Sequence, residues 1–305
     1  MPSNLPANKK DQKAVPGTLY VTATPIGNLD DITLRAIQIL RSVDLIAAED
    51  TRQTGVLLKA HHIKTRLISY HEHNEKRRAP ELIAKIQAGA SVALVSDAGT
   101  PTISDPGYRL VCAAVADKIS VVPLPGVSAA TAALSASGLP TDAFAFIGFP
   151  EKKAGKRLKQ LTALAARRET LIFYESPRRI SALLEEIHKC MGDRPVVVAR
   201  EMTKKFEEFI RGPVLQVITE LAGRDRVKGE CTLLVSGNLE EARSDPETIR
   251  AEVTRLLASG ETGTSEVSKQ VARKLNISKK EVYAWVLEVK AEPIKKVTKV
   301  ESELK

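Results

Sequence analysis

Short β-branched runs alternate with amphipathic stretches from Gly17 onward. TLYVTAT (18–24), DLIAAED (44–50), SVALVSD (91–97) and SVVPL (120–124) read as buried strands. Between them, ITLRAIQILRSV (32–43), APELIAKIQAGA (79–90) and YRLVCAAVADK (108–118) carry helical spacing. Strands separated by helical spans predict a largely parallel sheet covered by helices.

A second alternation starts near Pro125 and Gly126. SAATAALSAS (128–137) reads as a helix of small residues, and RRISALLEEIHKCM (178–191) as a helix that stops before Gly192. FAFIGF (144–149), ETLIFYE (169–175), RPVVVARE (194–201), FEEFIRGPV (206–214) and ECTLLVSG (230–237) read as strands, with GPVLQVITEL turning helical. From 245 to 290 only helices are expected, and residues 265–289 outline a helix-turn-helix with apolar positions at Val282, Trp285 and Val289. The pattern therefore predicts an α/β fold: one α/β domain over 17–124, a second over 125–240, and a small helical domain over 245–290. Residues 1–16 read as a disordered lead-in and 291–305 as a tail.

Composition narrows the function classes. Forty-six basic against 37 acidic residues leave a net charge of +9, which favours an anionic partner such as nucleic acid. Aromatics are scarce at 4%, which argues against a broad stacking platform as the main activity. Cys112, Cys190 and Cys231 lack zinc-knuckle spacing and point to a reducing, cytoplasmic compartment. Cys112 and Cys231 lie in apolar runs and are expected in the core. No membrane span and no signal-peptide apolar region is expected.

Three loops stand out. TATPIGN (22–28) follows the first strand, where open α/β sheets bind ligands, although an ordinary βα turn would read the same. SDAGTPTISDPG (96–107) combines Gly99 and Gly107 with Pro101 and Pro106, and carries Asp97 and Asp105. It is neither a Walker loop nor GxGxxG, and a tight structural crossover is the alternative. PLPGVSAATAALSASGLPTDAF (123–144) opens a helix whose small side chains let a ligand reach backbone N–H groups; close helix–sheet packing explains the alanines equally well.

Together with HEHN (71–74), SGLPTDAFAFIGF (137–149), LIFYESPRR (171–179) and VVVARE (196–201), these segments resemble the tetrapyrrole methylase family in its ribosomal branch. The first loop departs from the Gly-x-Gly-Pro-Gly-Asp run of the cobalamin and siroheme branches. The resemblance spans roughly residues 17 to 290. It implies two α/β domains with S-adenosylmethionine in the cleft between them, a homodimer, and 2′-O-ribose methylation of a cytidine in 16S ribosomal RNA. Cofactor positions carried over by the resemblance are Pro25, Asp97, Gly99, Thr100, Ser128 and Ala129, then Tyr174, Ala199, Gly229 and Thr232.

A ribose hydroxyl is a poor nucleophile, so a general base is expected near the cleft. Glu49, Asp50, Asp105 and Glu175 are the candidates, with Glu201 and the His71–His73 pair behind them. Each has a structural reading: Glu49 could pair with Arg52, Glu175 could cap a helix, and Asp105 could close an Asx-turn. No metal is implied, because the histidines lack partners at ligand spacing. Phosphate contacts are expected from Lys152, Lys153, Lys156, Arg157 and Arg178, and in the last domain from Lys269, Arg273, Lys274, Lys279 and Lys280, although a solvated face would read alike. The expected partner is small-subunit ribosomal RNA or the assembled subunit. A tetrapyrrole C-methyltransferase would share the fold without needing the basic clusters, and a DNA-binding protein would leave the α/β portion unused.

Overall fold

The computed structural model describes residues 13–226, 228–238, 246–259, 263–275 and 277–291. Most of the expected lead-in and tail, residues 1–12 and 292–305, lie outside the described residues. The chain forms two compact units, Met1–Gly237 and Asn238–Lys305.

The first unit holds two five-stranded sheets. Sheet one is built from β1 (Thr18–Thr22), β2 (Leu45–Ala48), β3 (Leu67–Ser69), β4 (Val92–Val95) and β5 (Ser120–Leu124), in the order β3-β2-β4-β1-β5. Every pairing is parallel. The crossovers are α1 (Leu34–Ser42), α2 (Thr51–Ala60), α3 (Glu75–Gln87) and α4 (Tyr108–Ala116). Strands β2 and β4 are buried at every position, as a sheet covered on both faces requires. Two clusters flank the sheet, one around Ile39, Leu40 and Ile46, the other around Leu82, Leu94 and Leu110.

After α5 (Ala129–Ser135), sheet two comprises β6 (Phe144–Gly148), β7 (Thr170–Glu175), β8 (Pro195–Arg200), β9 (Glu208–Pro213) and β10 (Cys231–Val235), in the order β6-β7-β10-β8-β9. Only β6 and β7 pair parallel; the other three pairings are antiparallel. Helices α6 (Ala154–Leu164), α7 (Ile180–Met191) and α8 (Val214–Ala222) connect them and bury Leu161, Leu184 and Val217 against one face. The small-residue helix α5 packs Ala130, Ala133 and Leu134 with Ile172, Val197 and Leu234 from the other.

In the second unit, α9 (Pro246–Ala258), α10 (Thr264–Leu275) and α11 (Lys279–Ala291) pack around Ile249, Val253, Val267, Val271, Val282 and Val286. Val282 and Val286 form the buried stripe of α11, while Trp285 and Val289 are only partly covered. The spacing analysis overlooked Val286.

Cys112 departs from expectation: it is exposed, because α4 turns Leu110 and Ala114 inward, whereas Cys231 is buried. Elements not anticipated are β3, α2 and α6. No helix among the described residues is long and apolar enough to cross a membrane.

Candidate active site

All strands of sheet one end at the same edge, which gathers the loops after β1, β2, β4 and β5. They are tied to one another. Thr24 and Gly99 exchange backbone hydrogen bonds of 2.8 and 2.9 Å, and the Thr24 hydroxyl donates to the Ser96 carbonyl at 3.1 Å. The Thr100 hydroxyl donates to the Val127 carbonyl at 3.1 Å, joining the Gly/Pro loop to the PGVSA turn. Gly126 lies against Ala23 so closely that an added Cβ would fall 2.8 Å from the Ala23 Cβ. The first loop also reaches sheet two, where the Asn28 N–H donates to the Thr203 hydroxyl at 3.0 Å.

Facing this edge is one end of sheet two, where Cys231 pairs with Glu175 on one side and Arg200 on the other. A cavity of about 370 Å³ opens between them. Of the residues proposed from sequence it collects Gly99, Thr100, Asp105, Ser128, Ala129, Tyr174, Glu175 and Thr232. An adjoining cavity of about 310 Å³ takes Pro25 and Asp97, with Lys204 beside them, and shares Ile26, Ala98 and Glu230 with the first. Ala199 does not line either space, being wholly buried in β8, and Gly229 sits outside both against the Glu201 side chain.

The carboxylates divide sharply. Asp50 caps α2 and clasps Arg52 at 2.6 Å; that hydrogen bonding holds its carboxyl down at about 2. The ion pair expected between Glu49 and Arg52 is thus made by Asp50. Glu175 is buried, accepting from its neighbour's Ser176 N–H and from Arg179, so it braces the start of α7. Glu201 holds Lys204 at 3.0 Å and accepts the Glu230 N–H. Glu49 and Asp97 interlock through backbone amides, the Asp97 N–H on Glu49 and the Asp50 N–H on Asp97, and burial raises both.

Asp105 differs from all of these. It lines the larger cavity, hydrogen-bonds with the Ser96 side chain, and has no cation paired to it among the described residues. Burial, with the Glu49 charge second, pushes its carboxyl up to about 7. Its loop is strained: Thr102 and Ser104 hold φ of 74° and 66°, left-handed values unusual for such residues. Opposite, Tyr174 is raised by burial and stands edge-on to Phe146 and Phe149, with ring centroids 4.9 and 5.7 Å apart. The sequence reading missed Ile103 and Phe149, whose exposure depends on turns no local pattern encodes.

Among the proposed phosphate contacts, Lys152, Lys153, Lys156 and Arg178 are exposed in the first unit. Arg157 is committed elsewhere, gripping Glu186 at 2.6 and 2.7 Å. In the second unit Lys269, Arg273 and Lys280 are exposed, Lys274 pairs with Glu252 at 2.8 Å, and Lys279 donates to the Ser265 hydroxyl. His71 and His73 stack edge-on at 5.9 Å, outside both cavities. No trio of His, Cys, Asp or Glu among the described residues could hold a metal ion.

Residues 18–218 match the family of Tetrapyrrole (Corrin/Porphyrin) Methylases. The chain is 46% identical over 274 residues to a ribosomal RNA small subunit methyltransferase I of Halalkalibacterium halodurans, covering 88% of this chain and 93% of that protein. It is 45% identical over 276 residues to the protein so named in Escherichia coli O157:H7, covering 89% and 95%. A solved uroporphyrin-III-C-methyltransferase from Thermus thermophilus superposes with a TM-score of 0.53 at 23% identity, over 72% of this chain and 94% of that one. A cobalt precorrin-4 methyltransferase does so at 0.55 and 18%, over 72% and 95%. At that identity the likeness concerns the fold.

Proposed function

The chain belongs to the tetrapyrrole methylase family, and on that footing we propose that it methylates a cytidine 2′-hydroxyl of 16S ribosomal RNA within the small ribosomal subunit. The substrate half of this reading rests on relatives named for small-subunit ribosomal RNA at 45–46% identity over nearly the whole chain. The exposed lysines of α6 and α10 suit a phosphate backbone. The proposal extends to a homodimer working in the cytoplasm.

The observation that carries the chemistry is Asp105, a carboxyl poised near 7 on the wall of a cleft that fits the family's methyl donor. A cavity of about 370 Å³ with the hydroxyls of Thr100, Ser128 and Thr232 and the ring of Tyr174 offers hydrogen bonds and an aromatic face to S-adenosylmethionine. When bound, that group supplies a methyl already activated as a sulfonium. The residues' tasks are to align the hydroxyl, exclude water and take its proton. Asp105 takes the proton. Glu49 keeps it basic enough to do so, since removal of a neighbouring negative charge would lower its pKa.

The test is methyl transfer from labelled S-adenosylmethionine to small subunits from a strain lacking the protein. Label in an alkali-resistant dinucleotide is the expected result, because a 2′-O-methyl group blocks cleavage at that phosphodiester. Cofactor binding without label on subunits or naked ribosomal RNA would overturn the RNA reading and favour a tetrapyrrole C-methyltransferase.

A further inference from the structure

Two large apolar side chains stand at the mouth of the cleft with no core to justify them. Phe149 is 58% exposed and Ile103 45%, yet both line the larger cavity. Each is held out by unusual backbone. Ile103 lies between Thr102 and Ser104, whose φ values are both positive. Phe149 follows Gly148, at φ +73° beside the register irregularity where β6 leaves β7. These two turns touch: an added Cβ on Gly148 would lie 3.2 Å from the Ser104 hydroxyl oxygen. Backbone strain that displays apolar groups to water at a site is a mark of a binding role.

Building on the RNA reading, we propose that Phe149 and Ile103 form a clamp that grips one unstacked nucleobase of the RNA substrate. An aromatic ring offers a base a stacking face whatever its sequence. The Phe149 ring packs edge-on to Tyr174, which packs edge-on to Phe146, so the stacking face is already supported in the protein alone. Cations flank it in chain order: Lys152, Lys153 and Lys156 follow Phe149, and exposed Arg178 follows the cavity-lining Ser176 and Pro177. They suit the phosphates on either side of an extruded nucleotide. Asp105 lies two residues beyond Ile103, so gripping the base brings its ribose towards the carboxylate that takes the proton. The polar lining contributed by Thr100, Ser128 and Thr232 is left to the methyl donor.

The experiment compares wild type with F149A, F149L and F149W, measuring kcat and KM for unmethylated small subunits and the Kd for S-adenosylmethionine by calorimetry. Expected for F149A is a KM for subunits about 5- to 100-fold higher, the range for losing one stacked base. Its cofactor Kd should stay within about twofold of wild type, while kcat should fall as the ribose loses its placement beside Asp105. Trp should restore KM to within a few-fold and Leu should not. Cofactor affinity falling in step with F149A would overturn the clamp, assigning Phe149 to the adenine of the methyl donor. An unchanged KM, or full rescue by Leu, would overturn it too. If wild type itself labelled no RNA, the substrate reading would fail and the clamp with it, whereas a variant-only defect bears on the clamp alone.

Discussion

The loop after β4 and the β8–β9 hairpin both gather carboxylates, and they treat them in opposite ways. At the hairpin, Glu208 accepts from Arg200 and, at 2.7 and 2.8 Å, from Arg224, and those hydrogen bonds hold its carboxyl down at about 2. In the loop, Asp105 faces Glu49 and Asp97 with no arginine paired to it among the described residues, and burial lifts it to about 7. One carboxylate is ionised at every physiological pH and spends its charge on geometry. The other stays near its midpoint and is free to exchange a proton. A satisfied ion pair costs reactivity, and a withheld partner costs stability.

Exchanging the two roles by mutation should separate those consequences. D105N should have the largest effect, a fall in kcat for methyl transfer of about 100-fold or more, the usual contribution of a general base. Calorimetry should find S-adenosylmethionine still bound within about twofold. E208Q should leave kcat almost untouched and lower stability at pH 7 by about 1–2 kcal/mol in urea unfolding, more than an exposed pair because two arginines lose one partner. Since Glu208 is depressed in the fold, its contribution is present above its ordinary value of 4.5 and disappears as pH falls through about 2. The two proteins should therefore converge in stability in strong acid.

The smallest effect sharpens the comparison most. Wild-type kcat should rise through about pH 7, because the proposed base, Asp105, accepts a proton only as its carboxylate. E49Q removes the second cause of that high value and should move the limb to lower pH, by about half a unit to one unit. A limb that stays in place would mean that Glu49 does not act on the titrating group. Asp105 also carries the opposite stability sign to Glu208: its raised pKa withdraws stability as pH rises through about 7.

Much of the fold was legible because it is repetitive in its physics. The β-branched runs at 18–24, 44–50 and 91–97 became β1, β2 and β4, buried strands that need no partner pattern to be recognised. Strand β3 escaped notice because it is only three residues on an edge, and α2 because polar residues interrupt TRQTGVLLKA. At the site, the loops could be located but their carboxylates could not be ranked. Asp50 and Asp105 look alike in sequence, and what separates them is burial beneath other loops and the nearness of Glu49 from a different strand. A helix-start role for Glu175 was visible, although its partner Arg179, four residues on, was not singled out; the exposure of Phe149 was not visible, because it depends on the turn at Gly148.

Strand β10, last of its sheet in the chain, lies at the centre of it, hydrogen-bonded to both β7 and β8. This sets an order of events during synthesis. Sheet one is complete once Leu124 has emerged from the ribosome, but β7 and β8 keep raw edges until Val235 follows, about 110 residues and roughly 5–20 s later at ordinary elongation rates. Cys231 and Thr232, which wall the cleft, arrive with that strand. The proposed methyl-donor site is therefore the last part of this unit to be completed, and a fragment that stops short of β10 would leave the edges of β7 and β8 unpaired, which favours association.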